Sequence, residues 1–304
     1  PISQAALLDA FPREKHGSAM ALWGVGVMVG PILGPPLGGW LTDEWSWRWV
    51  FYINLPVGIL GGMGPAAGAD FVRLFVEACS RQLRALGRGV QDQAFPEHWL
   101  AQVPVPDRTG ALLNRDSGAH QPLEPMLQAL GRLAALGARS VAMACNTAHA
   151  WHGRLQERFP QLELLHVAQE VARVLQARGA GQAILLATEG TYRSGLYEQA
   201  LGQAGIALIL PDAAQRERLM QGIYEGVKRG DRLLAQACFA EVAGAMLQHH
   251  GDQPLLMACT EIPLALPGAP EVAGATLIDP AQVLAQALAG RAYGVSEVSA
   301  GSFQ

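Results

Sequence analysis

Two segments of this chain carry the same Met-Ala-Cys ending: Ser140-Val-Ala-Met-Ala-Cys145-Asn-Thr147 and Pro254-Leu-Leu-Met-Ala-Cys259-Thr-Glu261. Each is a short apolar run that brings one thiol to its carboxyl end and follows it with polar residues. The chain has four cysteines, so two of them occupy equivalent places. A thiolate can take a proton from a carbon acid and a thiol can return one. Two sulfurs flanking one carbon could therefore invert it, and exchanging their roles would run the reverse reaction. A helix beginning just after each strand is expected to aim backbone N–H groups at the sulfur, favouring the thiolate and lowering its pKa. Cys79 and Cys238 fall inside helix-like stretches and read as buried, inert thiols.

Such thiols must be held at strand ends, and the pattern from residue 57 onward supplies strands. Apolar runs at residues 57–60, 140–144, 164–167, 183–187, 206–210, 255–258 and 276–278 alternate with helix-like stretches at 66–86, 212–228 and 231–249. That alternation predicts parallel sheets covered by helices. The halves also match beyond the cysteines. Ile59-Leu-Gly-Gly-Met-Gly-Pro65 aligns with Leu185-Leu-Ala-Thr-Glu-Gly-Thr191 at an offset of 126 residues, and Cys145 and Cys259 are 114 apart. The expected fold class is α/β, with two pseudo-symmetric αβ lobes and an active site between them where strand ends meet. The expected limits are residues 57–160 plus 276–304 for the first lobe and 161–275 for the second.

Residues 1–56 differ in kind. Residues 17–42 form an uncharged run with Trp23, Val25, Val27, Met28, Ile32 and Leu33, long enough to cross a hydrocarbon layer of roughly 30 Å. It reads as a transmembrane helix entering from the cytoplasmic side, since Arg13 and Lys15 precede it and Asp43 and Glu44 follow. A second uncharged run over residues 49–69 could also register as a span, although five glycines and two prolines weigh against one. The whole chain is 50% hydrophobic and 16% charged with a net charge of −4, and without any Lys/Arg run nothing points to a nucleic-acid partner. Scattered cysteines without a CxxC pair imply free thiols in a reducing compartment, so the second part is expected in the cytoplasm, with residues 17–42 as its candidate membrane attachment.

Both parts resemble known families. Gly24-Val-Gly-Val-Met-Val-Gly-Pro31-Ile-Leu-Gly34-Pro-Pro-Leu-Gly-Gly39, followed by Trp47-Arg-Trp49-Val-Phe-Tyr-Ile-Asn54-Leu-Pro56, resembles a stretch of the multidrug efflux pumps of the major facilitator superfamily. One helix and the start of another cannot form a transport pathway, so this part reads as a fusion remnant without transport activity. Gly61-Gly-Met-Gly-Pro65, Pro106-Asp-Arg108-Thr109, Ala144-Cys145-Asn-Thr-Ala-His149, Leu186-Ala-Thr-Glu-Gly-Thr191, Gly222-Ile-Tyr-Glu-Gly-Val-Lys228 and Ala258-Cys259-Thr-Glu261 resemble the signature segments of the aspartate/glutamate racemase family, in particular its aspartate branch. The resemblance runs over residues 57–291. It implies racemisation of aspartate, with glutamate as a second substrate, without pyridoxal phosphate, any other cofactor or a metal.

Carried over position by position, the resemblance implies Cys145 and Cys259 as the catalytic proton donor and acceptor. Arg108 and Lys228 would anchor the carboxylates. Asn146, Thr147 and Thr260 would supply donors, and Met63 would contribute through its backbone. Glu261 stands where glutamate racemases usually have His, which favours aspartate, and would meet the substrate ammonium or tune Cys259. His149 reads as a core histidine. The expected partner is a small amino acid and the expected assembly a homodimer. Other readings stay open: a relative acting on a hydantoin or another dicarboxylate, a non-catalytic amino-acid binder, or a degenerate fusion. Less weight falls on a zinc site from Cys145, His149 and Cys259, which would not need Arg108 and Lys228, or on a dinucleotide turn at Gly62-Met-Gly64.

Overall fold

The computed structural model of the chain describes residues 55–113 and 121–295. The membrane-spanning helix expected over residues 17–42 lies outside the described residues, as does the rest of the transporter-like segment up to residue 54. Among the described residues no helix is long and apolar enough to cross a membrane. The second span considered over residues 49–69 is corrected: Val57–Gly61 is a buried strand, β1, whose Val57 to Leu60 stretch packs into the core. It pairs on both edges, which a membrane helix could not do.

Two four-stranded parallel sheets follow with the same connectivity. The first runs β2-β1-β3-β4, with β2 at His98–Gln102, β3 at Ser140–Met143 and β4 at Glu163–Leu164. The second runs β6-β5-β7-β8, with β5 at Gln182–Ala187, β6 at Ala207–Ile209, β7 at Leu255–Ala258 and β8 at Leu277–Ile278. The duplication read from the two offsets is thus a repeat of strand order. The strands at the limits fall differently from the expected division, because the hydrogen-bond ladders join β4 to the first sheet and β8 to the second. The expected strand at 164–167 is cut short: Val167 already opens a helix, capped by the His166 ring accepting from the Gln169 N–H. Strand β2 was unexpected, since its residues alternate little and it lies half-exposed on an edge.

Helix α1, Pro65–Ala85, starts directly from the turn after β1. Helix α2 spans Arg108–Leu113, α3 Leu123–Ala135, α4 His152–Arg158 and α5 Val167–Ala177. In the second lobe α6 is Glu189–Ser194, α7 Leu196–Gln203, α8 Ala213–Gln221 and α9 Arg232–His250, and α10, Pro280–Ala292, packs back on α1 and α5. The long helix expected over residues 212–228 breaks: α8 gives way to a wide π turn, Gly222–Gly226, then a tight 3-10 turn, Val227–Arg229.

Side chains alternate along each strand, and this alternation builds three apolar layers. Ile59, Ala142, Leu185, Leu256 and Ala258 face a shared core with Phe71, Phe75, Val171 and Leu288, so the two lobes are welded through α1, α5 and α10. Val141, Met143 and Cys145 belong to the opposite face of the first sheet, and Leu255, Met257 and Cys259 to the corresponding face of the second. The two cysteines therefore share one parity in two equivalent strands.

Candidate active site

Every residue given a site role from the sequence lines one narrow cleft: Met63, Arg108, Cys145, Asn146, Thr147, Lys228, Cys259, Thr260 and Glu261. Asp107, Thr109, Thr188 and Tyr224 join them. These four were missed as site residues although each lies inside a segment that carried the family resemblance.

Both cysteines are largely buried, Cys145 at 7% exposure and Cys259 at 5%. The turns that follow them open as short 3-10 pieces, Thr147–Trp151, which runs on into α4, and Ile262–Leu264. For Cys259 the expected lowering of pKa is corrected outright. Its thiol donates to Glu261 Oε2 at 2.9 Å, and its pKa is pushed well up, first by burial and then by the Glu261 charge and hydrogen bond, with Lys228 pulling weakly the other way. Cys259 therefore rests as a thiol.

Glu261 is itself buried and accepts a second hydrogen bond, from Thr260 Oγ1 at 3.0 Å. The glycine-rich turn after β1 comes up against it: a Cβ on Gly64 would lie 3.1 Å from Glu261 Oε1, and the Gly64 φ of 140° suits glycine alone. The same turn offers the Met63 carbonyl, which accepts from Arg108 Nη2 at 2.6 Å. Arg108 Nη1 donates to the carbonyls of Val105 and Pro106. Its buried Nε–H has no partner. A cation fixed by three carbonyls and left with an unmet donor in a cleft is arranged for an anionic ligand atom.

On the second lobe, the break after α8 sets up a different cation. Gly226 packs so closely on α9 that a Cβ there would come 2.8 Å from the Ala235 Cα, and this contact seats the π turn. Tyr224 within the turn carries Lys228 Nζ over its ring at 4.0 Å. Its hydroxyl donates across to Asp107 Oδ1 of the first lobe at 3.1 Å. Thr147 from the first lobe closes a triangle of hydroxyls with Thr188 and Thr191 of the second, with sides of 3.0, 3.0 and 3.1 Å. Asn146 accepts from Tyr197 Oη at 2.6 Å through Oδ1, which leaves its amide NH2 for the cleft. The hydroxyls of Thr147 and Thr260 are thus already engaged within the protein.

His149 donates through Nδ1 to the Cys145 carbonyl at 2.9 Å and stacks on His152, with the His166 ring edge-on to both. Among the described residues no group of three or more His, Cys, Asp or Glu side chains is placed to hold a metal ion.

Two αβ lobes of one topology, each delivering a strand-end thiol to a shared cleft furnished with two cations, define an isomerase acting on a small carbon acid. Residues 60–288 match the family model described as Asp/Glu/Hydantoin racemase, and the chain belongs to that family. This makes it an amino-acid racemase by class. Among solved structures, the aspartate racemase of Picrophilus torridus is 27% identical, with a TM-score of 0.64 over 80% of this chain and 99% of that one. An aspartate racemase homologue from Pyrococcus horikoshii, at 20% identity and a TM-score of 0.62 over 78% of this chain and 99% of that one, shares the fold. The N-terminal segment matches transporters instead. It is 48% identical over 60 residues to the fatty acid resistance protein FarB of Neisseria gonorrhoeae and 49% over 59 to the multidrug export protein EmrB of Haemophilus influenzae. The chain spans 12% of the length of each.

Proposed function

We propose that the chain interconverts L- and D-aspartate by a two-base reaction between Cys145 and Cys259. The observation that carries this reading is that one thiol from each lobe lines a single small cleft together with Arg108 and Lys228. Two carboxylates need two cations, and the unmet Arg108 Nε–H and the Lys228 ammonium supply them. Held so, the substrate presents its Cα between the lobes. Cys145 as thiolate takes the Cα proton, and the electron pair left behind spreads into the α-carboxylate, which the Asn146 amide and the cations stabilise. The Cys259 thiol delivers its proton to the opposite face and becomes the thiolate. In the reverse sense Cys259 must start without its proton, and Glu261, already the acceptor of that S–H, is placed to take it.

The test is chiral chromatography of aspartate incubated with the full chain. Wild type should convert either enantiomer to a 1:1 mixture, and Cys145→Ser and Cys259→Ser should each lose at least about 10²-fold in kcat/KM, the usual scale of a general acid or base. Full activity in the double variant would sink the thiol mechanism. Turnover of glutamate or a hydantoin with no turnover of aspartate would reassign the substrate while keeping the reaction type.

A further inference from the structure

A second cavity, open to solvent and with room for water over about 380 Å3, shares no residue with the cleft. Its walls come from α1 through Arg81, the end of α5 through Arg178, β8, and the start of α10 through Asp279 and Gln282. Arg81 Nη2 is buried and has no hydrogen-bond partner, and among the described residues the Arg81 side chain forms no ion pair. Buried guanidinium nitrogens are normally paired with protein, ordered water or a ligand, so this one marks an unfilled demand for an acceptor. The acid nearest at hand in the lining does not meet it. Asp279 is spent on capping α10, its Oδ1 accepting from the Ala281 N–H at 2.8 Å, and burial raises its carboxyl to about 6. Thr276 and Gln282 add neutral hydrogen-bonding groups.

We propose that this cavity binds a small multivalent anion, a phosphate or a polycarboxylate, gripped by the Arg81 guanidinium. The flat fork of an arginine suits two-point contact with either oxyanion. The protein as a whole carries a net charge of −4, so attraction of an anion here is local rather than a consequence of overall charge. Arg81 belongs to the first lobe's opening helix and β8 to the second lobe's sheet, so an occupant joins the two lobes outside the cleft that holds Cys145 and Cys259. The inference does not depend on which reaction the cleft performs.

The experiment is thermal unfolding of the full chain, titrated separately with inorganic phosphate and with citrate, at ionic strength matched by sodium chloride. The cleft also carries cations, so Arg108→Gln serves as a control for anions bound there. Wild type and Arg108→Gln should show a saturable rise in Tm with at least one of the two anions, and whichever saturates at lower concentration names the chemistry. Arg81→Gln should weaken the apparent affinity at least tenfold while leaving racemisation without added anion unchanged. Should Arg81→Gln not fold, Arg81→Lys decides, with a several-fold weakening expected because the charge remains and the fork is lost. No saturable rise, an equal rise in the Arg81 variant and wild type, or a rise lost in Arg108→Gln alone would each overturn the site.

Discussion

Glu261 is the residue whose chemistry the cleft makes most specific. It lies two positions beyond Cys259, is buried with it, and accepts both the thiol and the Thr260 hydroxyl. Its negative charge and hydrogen bond hold the Cys259 proton in place, second only to burial in raising that pKa. Replacing it with Gln removes the charge and keeps the shape, so the thiol should ionise at lower pH, read as the thiolate absorbance near 240 nm with Cys145 substituted by Ser. With both cysteines present, Glu261→Gln should also lower kcat/KM by about 10²-fold if the carboxylate accepts the proton in turnover. The loss must be equal from L- and D-aspartate, because the equilibrium constant between enantiomers is one. An unchanged rate with an unchanged thiol titration would remove Glu261 from the mechanism. The cysteines were legible in sequence from their repeated strand-end setting, whereas Arg108 and Lys228 were reached only through the segments that carried the family resemblance. Tyr224, Thr188 and Asp107 were not, because their parts lie in contacts between distant segments: the Tyr224 hydroxyl on Asp107 over a separation of 117 positions, and the hydroxyl triangle of Thr147 with Thr188 and Thr191.

At the scale of elements, regular strands were legible because their apolar runs are continuous, while edges and interrupted helices were not. Strand β2 has no clear alternation, and the π turn after α8 follows from the close packing of Gly226 on α9, a contact that periodicity does not register. The start of α5 brings a further consequence. His166 caps it and packs with His149 and His152, all three with pKa values lowered first by burial, His149 to about 3 and His166 to about 4, these two also by the charge of neighbouring histidines. In the unfolded chain these imidazoles take protons near pH 6.5, whereas the folded protein holds them neutral. Stability is therefore complete above about pH 6.5 and is lost as pH falls towards 4, each histidine steepening the loss by up to roughly 1.4 kcal/mol per pH unit. His166→Asn keeps a capping acceptor and removes one titrating group. Its urea midpoint should match wild type near pH 7.5 and fall less steeply between pH 6.5 and 4; parallel curves would show that the cluster does not set the acid limb.

For the whole molecule, the decisive property is that one strand order occurs twice and the two copies are joined back to back through α1, α5 and α10. Equivalent strand ends then meet from opposite lobes, and the two thiols that share a parity in their sheets arrive at one cleft as separate groups rather than as one. A reaction run by a single base would return its own proton, or a solvent deuteron, to either face of the carbanion. A reaction run by two bases gives the product a hydrogen from the second sulfur only. A cysteine thiol exchanges with solvent once the cleft opens, so in deuterated buffer the first D-aspartate formed from L-aspartate should carry deuterium at Cα in nearly every molecule. The remaining L-aspartate should stay almost unlabelled at early conversion, and the mirror experiment from D-aspartate should give the mirror result. Mass analysis of the separated enantiomers at about a tenth of conversion reads both pools. Equal deuterium in substrate and product from the outset would mean that one group serves both faces, and the pairing of one thiol from each lobe would then have no part in the inversion.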